Sequence, residues 1–463
     1  MIDLRRLAIG AAILAIATMP GLTVGSATAQ DLGTYSQALI DGMNPASSTE
    51  TIPLGTKITQ ANWQKYRKFM PIGLQAFVSG QYFWKLENGP EYYIEVGPTI
   101  PTLLPTKYLQ DTEKYSGQAQ LVKLPSGAYT ISNYGAGIPF PRPAEPDMGG
   151  KLLYNYYYTY IPSMYHAWYP LEIVDRYFNT SMNLGQQLFF KLSHVSDTGE
   201  PIFNPNANRI FLSIYDQGLL PEQNKYLTAL AVFPDDPQRV PELYVFLPSL
   251  RRSLRLSSSA RCAPLQGTDW TNDDQRGGFS GIPKWFIPRY LGEKKVLFLV
   301  HAPWFARAND KEKFVGGYTF EGHSLGWAKP QENKFELRDV YLVDLVPTEE
   351  NKRAYCYSHR LLYIDKELGY TADQADTWDN QQKLWKLQII FRGATTAIPP
   401  DLNGQKSFVL PSGGEIGVIY DIQNEHMNVA WPSSPSQINS VVPREFHSLA
   451  LYALPSGLDQ VMK

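Results

Sequence analysis

Cysteine is almost missing from this chain. Two occur in 463 residues, Cys262 and Cys356, without a CxxC, CxxCH or HExxH pattern or a dense Cys/His cluster, so the usual zinc, haem and metalloprotease signatures fall away. No metal or cofactor is expected. Spacing alone does not bring the two Cα atoms within bridging distance, so a disulfide and a pair of buried thiols both stand as readings. Charge is scarce as well: Asp, Glu, Lys and Arg make up 19% and the formal net charge is −2, below the common share of about 25%. With no excess of cations to neutralise phosphates, nucleic acid is not an expected partner.

A nucleophile motif is also lacking. Ser280 sits in "GGFSGIP", where Ile282 occupies the position of the last glycine of GxSxG. The seven histidines are scattered, and His194, His301 and His359 lie in strand-like stretches that suit structural histidines. The chain is therefore read as non-catalytic, a triad assembled in space being the remaining route to an enzyme. The apolar run from Leu7 to Met19 is too short for a stable membrane span.

What the sequence does have is aromatic bulk. Hydrophobic residues reach 43% and aromatics 13%, with 29 Tyr and 10 Trp, the composition of a packed protein and not of a disordered one. At the N-terminus, Arg5 and Arg6 precede the apolar run, and small residues end in Ala27-Thr28-Ala29. Residues 1–29 are read as a secretory signal peptide cleaved before Gln30, which in a bacterium implies a periplasmic mature chain.

In "ITQANWQKYRKFMPIGLQAFVSG", Trp63, Tyr66, Met70, Leu74 and Phe77 recur at helical spacing, with Thr59 as cap, Pro71 as kink and Gly80 as stop. One kinked helix or two short ones are expected. From about Lys85 to Asp147 prolines and glycines indicate loops, with a short strand in "YYIEVG". The tyrosine ribbon "KLLYNYYYTYIP" (151–162) fits a strand with Tyr154, Tyr156, Tyr158 and Tyr160 on one face. It also fits a helix starting near Asp147, with Leu153, Tyr157 and Ile161 as a stripe and Tyr154 and Tyr158 beside it. We favour the helix. From Gln187 onward nine β-type runs follow, from "LFFKLSHV" to "KLWKLQIIF", with few helical interruptions. They predict an antiparallel meander that curls to protect its edges. In "SLRRSLRLS", Leu250, Leu254 and Leu256 share a side with Arg252, opposite Arg251, Ser253 and Arg255.

Several stretches then carry a resemblance: "NYGAGIPFPRP" leading into "LLYN", "LPSLRRSLRL", "DDQRGGFSGIPKWFIPRYLGEKKVLFLVH", "FELRDVYLVDLVP", "HRLLYIDKELGYTADQADTWDNQQKLWKL" and "REFHSLAL". In this order, over nearly all of the mature chain, they resemble the Gram-negative family called domain of unknown function 1329, of the outer membrane lipoprotein-sorting type. The family's Trp-Asn is here Tyr154-Asn155. The resemblance implies a mostly β, α+β fold like the LolA and LolB carriers, a strongly curved antiparallel sheet forming a half-open barrel around plug helices. Residues 30–463 would form one such domain, helix- and loop-rich over 30–186 and a meander over 187–463. It further implies a non-catalytic periplasmic carrier of lipid, lipoprotein acyl chains or another hydrophobic compound, in transient contact with membranes. A transporter of the resistance-nodulation-division (RND) superfamily or an outer-membrane protein would be its partner.

Candidate sites follow, each with a plainer reading. Arg251, Arg252 and Arg255 suit a lipid headgroup or acidic partner, or simply the solvent face of a strand paired with carboxylates. The segment Asp269–Leu291 reads as a long loop whose Trp285, Phe286 and Tyr290 gate a cavity, or whose bulk plugs the barrel end; a docking factor or hydrolase using this loop is the alternative function. Tyr154, Tyr157 and Tyr158, with Trp378 and Trp385, are the other candidate ligand contacts. Asp373, Asp376 and Asp379 are read as turn residues.

Overall fold

The computed structural model describes residues 50–79, 93–99, 104–177, 179–197, 204–205, 209–300, 306–308, 318–320, 334–367, 369–391, 394–395, 408–409, 416–430 and 437–462. The expected signal peptide, Gly80 and His301 lie outside them.

Two runs of antiparallel strands build one large sheet. The first comprises β1 (Met164–Val174), β2 (Thr180–Lys191), β3 (Ile210–Leu220), β4 (Thr228–Pro234), β5 (Glu242–Leu247) and β6 (Arg252–Leu256). The second comprises β7 (Phe286–Phe298), β8 (Glu336–Pro347), β9 (His359–Asp365), β10 (Ala372–Trp378), β11 (Leu384–Phe391), β12 (Ile416–Asp421) and β13 (His426–Ala430), and the short β14 (Gln437–Ile438) also pairs with β1. The spatial order is β6-β5-β4-β3-β2-β1-β13-β12-β11-β10-β9-β8-β7. Chain order thus runs outward from β1 to one edge, crosses to the opposite edge, and returns strand by strand until β13 meets β1, with Met427 opposite Val174. The sheet is curved but not closed: β6 and β7 remain as edges.

All nine runs read as strands contribute to this sheet. It starts earlier than Gln187, however, because β1 and most of β2 precede that residue. Pro170 and the crowded aromatics of "MYHAWYPLEIV" mask a strand that nevertheless alternates cleanly. Met164, His166, Trp168 and Val174 face one side, while Tyr165, Ala167, Tyr169 and Leu171 face the other.

Both faces are covered. On one, helix α1 (Ile72–Val78) packs against Val340, Leu361, Leu387 and Val418, and the C-terminal segment packs Phe446 and Leu458 against β2 and β4. Pro71 separates α1 from a 3-10 helix over Trp63–Phe69, so of the two expected forms the chain takes two short elements; proline lacks the donor and disfavours helical backbone just before it. The buried Asp376 of β10 secures α1. Its Oδ2 accepts the Gly73 N–H at 2.9 Å and the Tyr363 hydroxyl at 3.0 Å, and that hydroxyl accepts the Ile72 N–H at 2.9 Å. Asp373 and Asp376 therefore lie in a buried strand and not in a turn, whereas Asp379 is in the turn, accepting the N–H groups of Gln381 and Lys383. Asp376 is tolerated in this strand because the Gly73 amide, the Tyr363 hydroxyl and the Gln374 side-chain amide satisfy its carboxylate.

On the other face, helix α3 (Met148–Tyr157) lies over β7, β8 and β9, with Leu152, Leu153 and Tyr154 fully buried. The segment read as loop before it also holds helix α2 (Thr106–Tyr115) and a hairpin of Gln120–Lys123 with Tyr129–Ser132. Asn155 explains part of the shared motif: its Oδ1 accepts the Phe140 N–H at 2.9 Å and its Nδ2 donates to the Phe140 carbonyl at 2.7 Å, tying the "PFPRP" segment to the helix. Gly149 lets α3 approach the sheet, since a Cβ there would stand 2.1 Å from the Pro288 carbonyl oxygen. Gly149→Ala should therefore destabilise by about 1–3 kcal/mol through overpacking, although alanine is the better helix former. Urea denaturation checks the sign, and a gain in stability would show that the helix is free to lift.

Candidate functional site

The connection from β6 to β7 must travel from one edge of the sheet to the other, and residues 257–285 make that journey across the face that carries α3. A backbone buried in this way needs partners for its polar groups. Thr271 and Asp274 cap each other reciprocally, and Asp274 accepts Arg360 at 2.7 Å on one oxygen and the Tyr357 hydroxyl at 2.9 Å on the other. Burial works to raise the Asp274 pKa, but the guanidinium of Arg360 and the ammonium of Lys386 hold it below the usual carboxylate range. Further along, Arg276, Gly277 and Gly278 have φ of 58°, 75° and 106°. A side chain at Gly278 would be strained by that angle and would meet Ala375 at 2.9 Å. The Tyr156 hydroxyl donates to the Arg276 carbonyl at 2.7 Å and accepts the Phe279 N–H at 2.9 Å, while Arg360 donates to the Gly278 carbonyl. Cys262 and Cys356 form a disulfide with Cα atoms 5.6 Å apart, fastening the crossover to the β8–β9 connection and deciding the reading left open.

Between this crossover and the sheet lies a cavity of about 280 Å³, bounded by β1–β5, β11–β13 and residues 260–277. Its walls are chiefly apolar, including Tyr165, Leu171, Phe189, Leu243, Trp270 and Ile390. One polar group stands within it on β3. Asp216 accepts Gln187 at 2.7 Å and Tyr169 at 3.5 Å on Oδ1, and Gln275 at 3.2 Å on Oδ2. Burial pushes its carboxyl up to about 6, against the three hydrogen bonds that favour the charged form. Across the turn, Gln388 of β11 donates its Nε2 to the Asp274 carbonyl at 2.9 Å. Arg276 also borders the cavity, but its guanidinium lies over the rings of Tyr157, Phe211 and Phe233 and donates to the Tyr157 carbonyl. Among the described residues no group of acids, histidines or cysteines forms a metal site.

The family model described as "Protein of unknown function (DUF1329)" matches residues 57–445. The chain belongs to this family. Three solved structures are similar to this DUF1329 chain, each at 12% identity. A domain named for outer membrane lipoprotein sorting, from Vibrio parahaemolyticus, covers 61% of this chain and 88% of its own, with a TM-score of 0.38. A DUF1329 family protein from Desulfovibrio piger ATCC 29098 covers 62% and 89% at 0.37, and a LolA superfamily protein from Nitrosomonas europaea covers 65% and 97% at 0.33. No curated protein matches.

In this DUF1329 chain the aromatic candidates from sequence do not line the cavity. Tyr154, Tyr157 and Tyr158 are core: Tyr154 donates to the Tyr129 carbonyl at 3.0 Å, and Tyr158 stacks on Tyr134 at 3.9 Å. Phe286 and Tyr290 belong to β7 and not to a loop, and with Trp285 they pack into the α3 cluster. Pro288 and Gly292 disguise that strand, which tolerates them because it is an edge. Trp378 is buried on the opposite face, stacked on His359 at 4.3 Å, and Trp385 donates to Asp421 at 2.9 Å. His359 in turn bonds Asp344 at 2.9 Å, a structural pairing.

Arg252 and Arg255 are exposed on edge strand β6, with Arg255 bonded to Glu242 at 2.9 Å, while Arg251 and the exposed Leu250 belong to the turn before it. Charged residues on an open edge discourage pairing with another chain. Ser280 is buried and donates to the Asn272 carbonyl. What sequence reasoning missed was Asp216, Gln275 and Gln388. The signal was available, since "RIFLSIYDQG" places Asp216 as the one acid in a largely apolar, buried strand.

Asp274→Ala leaves Arg360 buried without its carboxylate and should cost about 3–5 kcal/mol in chemical denaturation, part of which Arg360→Leu in the same chain restores. Asp216 has the opposite sign of pH dependence from an ordinary ion-paired acid. Its folded pKa, about 6, exceeds the unfolded value of about 3.9, so its contribution is present below roughly pH 4 and is lost as pH rises through about 6. Asp216→Asn should therefore gain about 2–3 kcal/mol relative to the wild type between those limits; a constant difference across the range would place Asp216 in a wetter setting.

Proposed function

We propose that this chain is a non-catalytic carrier of an apolar molecule in the bacterial envelope, and that the molecule occupies the cavity beneath the crossover. The observation that carries the reading is that cavity of about 280 Å³, with apolar walls formed by both runs of strands. At about 280 Å³ it lies just below the usual span of small-molecule sites, about 300–1,000 Å³, and so suits one alkyl chain or a compact ring system better than several acyl chains together. Burial of apolar ligand surface at roughly 25 cal/mol per Å² supplies the affinity, less the cost of ordering the molecule.

The disulfide suits an oxidising compartment, in keeping with export to the periplasm. No described helix is long and apolar enough to cross a membrane. Delivery would be to an RND-type transporter or an outer-membrane protein. A hydrolase using Ser280 is disfavoured by the hydroxyl's bond to the Asn272 carbonyl.

Delipidated protein should take up a fluorescent alkyl probe, one per chain. Ala229, a half-buried small residue on β4, borders the cavity. Ala229→Trp should abolish uptake while leaving the circular dichroism spectrum and thermal midpoint close to wild type. Undiminished uptake in that variant would move the site elsewhere, and absence of uptake in the wild type across alkyl, isoprenoid and ring-fused probes would end the carrier reading.

A further inference from the structure

The polar side of the cavity has an asymmetry in its hydrogen-bond capacity. Gln388 is 5% exposed, and its Oε1 has no hydrogen-bond partner among the described residues. Its orientation is fixed by its neighbour: Nε2 donates to the Asp274 carbonyl, and the flipped amide would set oxygen against oxygen. A buried acceptor of this kind demands a donor. On the other side of the same turn, Asp216 presents two carboxyl oxygens, and the amide of Gln275, next to Asp274, links it to the crossover. Both groups border the one cavity.

The donors near them are turned away. Gln187 and Gln275 spend N–H groups on Asp216, Thr268 donates to the Leu265 carbonyl, and Arg276 lies over three aromatic rings and donates to the Tyr157 carbonyl. Beside the Asp274 turn a ligand therefore meets two acceptors, Gln388 Oε1 and the Asp216 carboxyl, one of them an acid.

We infer that the cavity selects an apolar molecule bearing a hydrogen-bond donor, an alcohol or a primary amine, placed to reach Gln388 Oε1 and the Asp216 carboxyl, and that it rejects the matching carboxylate. This rests on the carrier reading above and narrows its substrate class. A fatty acid would bring a second carboxylate against Asp216 in an apolar setting, where like charges are disfavoured. An alkane would leave Gln388 Oε1 unpaired, and a site that leaves a buried polar group unpaired discriminates strongly.

The test is competition at neutral pH against a fluorescent alkyl probe, with dodecanol, dodecylamine, dodecanoic acid and dodecane on the delipidated full chain. The alcohol, the amine or both should displace the probe about 10- to 100-fold more effectively than the acid and the alkane. Which of the two prevails identifies the natural head group. Gln388→Leu, read as the ratio of alcohol to alkane displacement, should bring the alcohol to the level of the alkane, and Asp216→Asn should admit the acid. Two variants on separate strands guard against the failure of either to fold, which thermal denaturation reports. If probe binds but the four compounds compete alike, or the acid wins, the selection is overturned and the carrier reading survives. Failure of the probe to bind the wild type overturns the carrier reading itself.

Discussion

A buried stretch of irregular backbone has to be carried across a sheet face without leaving its polar groups unpaired, and that constraint shapes much of what surrounds it. The crossover from β6 to β7 follows from the order of the strands: two runs, each built outward or inward from the same central seam, can be joined only by a segment that spans the sheet. Asp274 and Arg360 meet that demand at its middle, and the positive-φ turn at Arg276–Gly278 meets it further on, with Tyr156 and Arg360 bonded to its carbonyls. The cavity is a by-product of the same arrangement. Where the crossover rides above the strands before descending to Asp274, the space beneath it is bounded by apolar residues of both runs.

The two faces divide the labour. On one, α1 and the C-terminal segment fill the surface with ordinary core. On the other, α3 covers the second run of strands, and the crossover covers the central seam and reaches over the first run. The tyrosines of α3 are therefore packing elements that set the height of the crossover through Tyr156 and Arg276. They do not offer a stacking surface.

Much of this architecture was legible in the sequence, because alternation of apolar residues reports a half-buried strand regardless of its partners. The exceptions share a cause. β10 reads as a turn because Asp373 and Asp376 are expensive to bury, and what makes Asp376 tolerable, the Gly73 amide far away along the chain and the Tyr363 hydroxyl of the neighbouring strand, does not show in local patterning. β1 and the start of β7 were hidden by prolines whose cost depends on position in the sheet. The cavity was the least legible feature of all. Aromatic residues mark apolar volume without saying whether it is filled, and here Tyr157, Trp285 and Trp378 fill it. Acceptors such as Asp216 and Gln388 are better pointers, since a polar residue inside an apolar strand must be satisfied by something.

The central seam has a bearing on the history of each molecule as well as on its shape. β1 is the first strand of the sheet to leave the ribosome, and its partner β13 is separated from it by more than half of the chain. Closing so long a loop is slow because its entropy is lost before the contacts repay it. The first run can pair locally while the chain is still short, but its innermost strand keeps an open, partly apolar edge until nearly everything else has been made. A protein wired in this way reaches its native state late, and the edge that waits is the one most exposed to misassembly along the route.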